Sequence, residues 1–263
     1  MPRSIVKALV NRTLDAAGFE LVRTRAAEQS YRGDGITLFG RNLSFLRDPK
    51  FMAAYARGEN SGHIYDVAPG KGLGAEFRTY VECWAARECL RLDGDFVCCG
   101  VNTGVIPLAI CEYLDFNESG KTFWLFDTYN GVPESQMSDI EREGDRPSIV
   151  ARLYQECFAT AQKNFAPFHR ARLVRGTVPD TLNKVDIPKV AYLSIDMNIA
   201  YPEIKAIEHF WPKLSAGAIV ILDDYAFSLH EEQHDAMDSF AQSVGVRILT
   251  MPTGQGLLIK PQK

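Results

Sequence analysis

A chain of 263 residues, 46% of them hydrophobic, can bury a sizeable core, and one α/β domain with a small added segment suits that length better than two equal domains. Its 33 acidic against 29 basic residues give a formal charge of −4 with no basic block, which removes the electrostatic footprint of a nucleic-acid binder and favours a small-molecule substrate. No window approaches the ~18 unbroken apolar residues of a membrane span. Six cysteines without a CxxC pair, two of them inside an apolar run, read as reduced core thiols, so a cytoplasmic protein with no membrane partner is expected.

The opening MPRSIVKALVNRTLDAAGF places apolar positions at helical spacing around Lys7, Asn11, Arg12 and Asp15, the pattern of an amphipathic helix rather than a signal peptide. Helices are predicted over 4–17 and 43–57, separated and followed by the glycine-rich loops RGDG and APGKGLG. Residues 1–74 thus form an N-terminal helical segment without assignable chemistry. Capping a sheet, covering a substrate pocket and making a homo-oligomer contact are the roles open to it.

From residue 75 to 263 short apolar runs alternate with amphipathic helices, the signature of an α/β fold with a parallel sheet covered on both faces. The helix EFRTYVECWAARECLRL leads into the strand DFVCC, the turn GVNTG and the helix VIPLAICEYL. The strand KTFWLFD, a polar loop, the helix SIVARLYQECFATAQKNF and the strand RLVRG follow. Next come the strand VAYLSID, the helix YPEIKAIEHFWPKL, the strand GAIVILDD and the helix HEEQHDAMDSFAQSVG. Two strands, VRILT and GLLIK, close the chain across a tight MPTGQ link that suits antiparallel pairing. The count is seven strands, and ligands bind such sheets at the carboxyl ends of the strands, near the switch in strand order.

Candidate chemistry collects at those ends. Gly100 and Gly104, in the turn Gly100-Val101-Asn102-Thr103-Gly104, let the backbone approach a ligand, although glycines at such turns are also common for steric reasons alone. A dinucleotide fingerprint needs GxGxxG and here the middle glycine is Asn102, which counts against a nicotinamide oxidoreductase and suits a nucleoside lacking pyrophosphate. Asp127, ending WLFD before Thr128, can accept both ribose hydroxyls or simply shape the turn. Gly176 and Thr177 follow the third strand, where an adenine ring can pack. Cys98 and Cys99 point to opposite faces of their strand, so one can line a cofactor edge while the other packs under a helix. The cofactor contacts expected are Cys99, Gly100, Asn102, Gly104, Asp127, Thr128, Gly176 and Thr177.

Asp196 at the end of AYLSID and Asp223-Asp224 at the end of AIVILDD sit where buried strands emerge. Three converging carboxylates repel unless a cation neutralises them, and oxygen-only ligands favour a hard ion such as Mg²⁺. The alternative is that these acids cap the following loop and helix. His209 reads as a partly buried structural histidine, and His230 and His234 as members of a solvated face. The loop from Ser135 to Arg146 is either a lid or a plain surface loop.

In their order, DFVCCGVNTG, FWLFDTYNGVPE, AYLSIDMN and AIVILDDY resemble the macrocin O-methyltransferase family, a Mg²⁺-dependent branch of the class I methyltransferases acting on macrolide deoxysugars. The resemblance runs from about residue 75 to the end. It implies a seven-stranded sheet with a reversed last strand, S-adenosylmethionine as cofactor, Asp196, Asp223 and Asp224 as metal-binding acids, and Asp196 as general base. The partner implied is a small-molecule hydroxyl acceptor, a sugar or glycosylated natural product, with two hydroxyls held by the metal. Two positions depart from the family pattern. Cys98 stands where a glutamate is usual, removing a charge expected near the methionine portion of the cofactor. Met197-Asn198 stands where Gly-Asp is usual, exchanging a carboxylate for an amide. A methyltransferase-like protein that binds a nucleoside without catalysis is the rival of another class.

Overall fold

The computed structural model describes residues 29–64, 72–143 and 146–262, so the helix expected over 4–17 lies outside the described residues. The chain divides into two compact units, the first made of residues 1–32 and 37–43 and the second of 33–36 and 44–263. Residues 29–32 and 37–39 of the first unit lie in the strands of a hairpin, β1 (Gln29–Gly33) and β2 (Ile36–Phe39), whose ends Gly33 and Ile36 and turn Asp34-Gly35 are counted with the second unit; both turn residues have positive φ, as a two-residue hairpin turn requires.

The second unit holds seven α-helices and seven strands among its described residues: α1 (Pro49–Glu59), α2 (Glu76–Cys89), β3 (Asp95–Cys99), α3 (Val105–Tyr113), β4 (Phe123–Asp127), α4 (Arg146–Leu153), α5 (Phe158–Phe165), β5 (Ala171–Arg175), β6 (Val190–Ile195), α6 (Ala200–Phe210), β7 (Leu214–Leu222), α7 (Glu231–Ser243), β8 (Leu249–Thr250) and β9 (Gly256–Ile259). Asp48 caps α1 by accepting from the Lys50 N–H, and Pro49 takes the first helical position, where its missing N–H costs nothing. α1 lies close on α3, because a Cβ at Gly58 would overlap the Val105 carbonyl.

The sheet order is β5-β4-β3-β6-β7-β9-β8, with β9 antiparallel to both its neighbours and the other pairs parallel. This is the expected seven-stranded sheet with its reversed strand. β6 is buried along its whole length, as a central strand covered on both faces must be. Alternation sorts its side chains. Val97, Cys99, Leu193 and Ile195 pack with Phe126 and with Ala206, Ile207 and Phe210 of α6 in the main core, whereas Cys98, Tyr192 and Ser194 face Glu82 of α2 on the other side. Phe210 is wholly enclosed in that core, and truncating such a side chain to alanine typically costs about 3–5 kcal/mol.

One expected helix is broken. The run SIVARLYQECFATAQKNF keeps helical periodicity, yet α4 stops at Leu153 and α5 begins at Phe158. Between them the Cys157 N–H donates to the Tyr129 carbonyl (2.9 Å) and Glu156 bridges Asn130, so tertiary pairing with the loop after β4 wins over local propensity. The closing strand expected as VRILT is reduced to Leu249–Thr250. No helix among the described residues is long and apolar enough to cross a membrane.

Candidate active site

Strand register assembles the site. The Gly100 N–H donates to the Phe126 carbonyl, Asp196 N–H to Cys99, Asp223 N–H to Ile195 and Gly176 N–H to Asp127, each at 2.8–3.0 Å. Gly176, Asp127, Gly100, Asp196 and Asp223 therefore stand side by side at the carboxyl ends of neighbouring strands. A Cβ at Gly100 (φ +94°) would overlap the Asp196 carbonyl, so only glycine allows this turn. Beside these ends opens a cavity of about 440 Å³, a size that suits a small organic ligand.

Of the residues expected to contact a cofactor, Gly100, Asn102, Asp127, Thr128 and Gly176 line this cavity. Cys99, Gly104 and Thr177 do not. Strand alternation sends the Cys99 side chain into the core beneath α6, while Cys98 faces the cavity side. Gly104 packs against the Phe165 ring, and the Thr177 hydroxyl donates to Asp180 (2.6 Å). Asp127 is engaged by its own backbone surroundings: Oδ2 accepts from the N–H groups of Val101 (2.6 Å) and Asn102 (2.7 Å), and Oδ1 from Tyr129 (2.6 Å).

Asp196, Asp223 and Asp224 each present a carboxylate oxygen, all within 4.8 Å of one another. Burial, then Asp223 and Asp224, pushes the Asp196 carboxyl well above the usual carboxylate range, with Arg78 opposing. Burial also raises Asp223, against the pull of Arg78. An all-carboxylate cluster of this spacing fits a hard divalent cation. Asp196 does not cap α6: Ile199 is the N-cap of that helix, Glu141 accepts from the Ala200 N–H (2.7 Å), and Glu203 accepts from the N–H groups of Met197 (2.9 Å) and Asn198 (3.1 Å).

Several lining residues escaped the sequence reading. Arg78 and Glu82, one helical turn apart on α2, both reach the cavity. Glu82 is fully enclosed, its carboxylate accepting from the Tyr192 hydroxyl and from Ser194 Oγ (3.1 Å); burial and then Asp223 push its pKa up to about 8. The i, i+4 pairing of opposite charges was the available signal. Tyr154, in the break between α4 and α5, donates from its hydroxyl to Asn198 Oδ1 (3.2 Å), and His63 faces its ring at 5.9 Å. Burial lowers the His63 pKa, opposed by a hydrogen bond with Asn102. His230 lies nearer the acids than expected, 3.9 Å from Asp224, whereas His234 stacks on Tyr225 at 4.6 Å and His209 pairs with Lys213 at 2.8 Å. The loop Ser135–Glu141 is tied down through Gln136 to the Val178 carbonyl (2.8 Å), Ser138 to Glu232, and Glu141 to α6.

A sheet of this order with one reversed strand, and with its cavity at the carboxyl ends beside a glycine turn, defines a class I methyltransferase fold. The profile of the Macrocin-O-methyltransferase (TylF) family matches residues 77–250, and the chain belongs to that family. It is similar to 8-demethyl-8-(2,3-dimethoxy-alpha-L-rhamnosyl)-tetracenomycin-C 4'-O-methyltransferase of Streptomyces olivaceus, 25% identical over 149 residues covering 54% of this chain and 57% of that protein. It is also similar to mycinamicin III 3''-O-methyltransferase of Micromonospora griseorubida, 25% identical over 129 residues covering 45% and 50%. The chain thus spans about half the length of these curated relatives. Among solved structures it resembles the O-methyltransferase NovP with TM-score 0.61 and 19% identity, covering 98% of this chain and 99% of that one.

Proposed function

We propose that the chain is an S-adenosylmethionine-dependent, Mg²⁺-dependent O-methyltransferase acting on a hydroxyl of a sugar or other small diol-containing natural product. The observation that carries this reading is the convergence of three carboxylates, within 4.8 Å of one another, on the rim of a cavity that also exposes Gly100, Asn102 and Asp127. The names of the relatives, O-methyltransferases of glycosylated natural products, support the acceptor class.

When bound, S-adenosylmethionine supplies an electrophilic methyl group and a divalent ion lowers the pKa of an acceptor hydroxyl. In this reading Asp196, Asp223 and Asp224 hold the ion, and Asp196 takes the hydroxyl proton. Gly100, Asn102, Asp127, Thr128 and Gly176 hold the nucleoside, and positioning supplies most of the catalysis.

The test is calorimetry with S-adenosylmethionine and S-adenosylhomocysteine, with and without Mg²⁺, followed by methyl transfer to a panel of glycosylated acceptors. Chelator should abolish transfer and Mg²⁺ restore it. Asp196→Asn should weaken binding of the ion while leaving the metal-free melting temperature unchanged or higher, since one of three repelling carboxylates is gone. Full activity in excess chelator would remove the metal from the mechanism, and absence of cofactor binding would favour a silent methyltransferase-like protein.

A further inference from the structure

The acid cluster has a cation of its own. Arg78 reaches from α2 to place Nη1 2.6 Å from Asp223 Oδ2 and Nε 3.5 Å from Asp34 Oδ1. Nη2 donates to the Thr253 carbonyl (3.4 Å), and the guanidinium lies over the Phe227 ring at 4.8 Å. The side chain is 18% exposed, so this is no solvated surface arginine. Asp223 is held on both sides, since its Oδ1 accepts from Gln255 Nε2 at 3.0 Å. Burial works against the Arg78 charge, but Asp223, Asp224, Asp196 and Asp34 more than offset it and raise its pKa.

We infer that Arg78 is a built-in counter-cation of the Asp196, Asp223 and Asp224 cluster, competing with a divalent ion for Asp223 and thereby setting how tightly the site holds one. The inference rests on the divalent-ion reading of the cluster and adds to it a residue that tunes ion affinity. A fixed positive charge on Asp223 cancels part of the attraction an incoming ion would feel and repels the ion directly, and both effects are strong in a buried site. The same charge offsets part of the carboxylates' mutual repulsion when no ion is bound.

The experiment uses Mn²⁺ alone, without cofactor or acceptor. Its dissociation constant is measured on the wild-type chain, Arg78→Gln and Arg78→Lys, with melting temperatures in chelator and in Mn²⁺. Arg78→Gln should bind Mn²⁺ about tenfold or more tightly, melt lower than wild type in chelator, and regain that loss in Mn²⁺. Arg78→Lys, which keeps the charge, should bind as wild type does. Equal or weaker Mn²⁺ binding by Arg78→Gln overturns the inference while leaving the metal site standing. Absence of Mn²⁺ binding in every variant overturns both. Should Arg78→Gln not fold, the wild-type chain decides. Its Arg78 Nε–H resonance, assigned with Arg78→Lys, should move and saturate along a Mg²⁺ titration, and an unmoved resonance counts against competition.

Discussion

Asp127 Oδ2 accepts a hydrogen bond from the Asn102 N–H at 2.7 Å, so the carboxylate that ends β4 clasps the turn that ends β3. Together with the Val101 N–H, this makes Asp127 an organiser of the cavity wall as well as a candidate ribose contact. Its two roles separate by substitution. Asp127→Asn retains one acceptor oxygen but loses the charge, whereas Asp127→Ala leaves the three backbone donors of Val101, Asn102 and Tyr129 without this acceptor. Asp127→Ala should weaken S-adenosylhomocysteine binding by roughly 1–3 kcal/mol and lower stability by a similar amount. Asp127→Asn should lose affinity with a smaller loss of stability. Calorimetry and thermal melting on both variants check this, and equal affinity in all three proteins would leave Asp127 with the turn alone.

Glu82 makes stability depend on pH. Its carboxyl titrates near 8 in the folded chain against an ordinary value of 4.5, so the folded state holds the proton more tightly. The stability this contributes is fully present below about pH 4.5 and is lost as pH rises toward 8. Between pH 6 and 8 the loss should be roughly 2–3 kcal/mol. Glu82→Gln, neutral throughout, should flatten that decline. Glu203, pushed up to about 8 chiefly by burial, leaves a residual slope of the same sign. Urea midpoints at pH 6 and pH 9 measure the effect, and parallel declines in wild type and Glu82→Gln would show that Glu82 does not titrate in this window.

What the sequence made legible follows from where its signals are local. Asp127, Asp196 and Asp223 each end an apolar run, and the period-two alternation of a buried strand carries the reader to its carboxyl end, where the cavity lies. The same alternation says that Cys98 and Cys99 part company, but not which of them faces the cavity, because both faces of a central strand are apolar. The helix break at Tyr154–Cys157 was hidden for a different reason: its cause is the bond from Cys157 to Tyr129, a long-range contact that periodicity does not encode. Arg78 and Glu82 were hidden because charged residues on an amphipathic helix ordinarily mark its solvent face. Here they mark the face turned to the acids.

The last prediction concerns Cys98. Its side chain lies on the cavity side of β3, 2% exposed, with Sγ 3.1 Å from the Gly100 carbonyl and with Ser194 as its neighbour in register on β6. Burial, then Cys99, Glu82, Asp196 and Asp127, keeps this thiol neutral by raising its pKa well above the ordinary value. A glutamate at this position would bring a second carboxyl against Glu82, which already holds its proton up to about pH 8. Cys98→Glu should therefore cost roughly 2–5 kcal/mol at pH 8, from a buried unpaired charge and a side chain too large for its space. The cost should shrink at pH 5, where both carboxyls can be protonated. Adding Glu82→Gln should recover part of it, so that the double variant is more stable than the sum of the single effects predicts. The check is a double-mutant cycle of urea midpoints at pH 5 and pH 8, with S-adenosylmethionine affinity measured on each protein. A Cys98→Glu variant as stable as wild type, binding the cofactor more tightly, would mean that position 98 addresses the ligand rather than Glu82, and the methionine end of the cofactor would then be assigned to β3 itself.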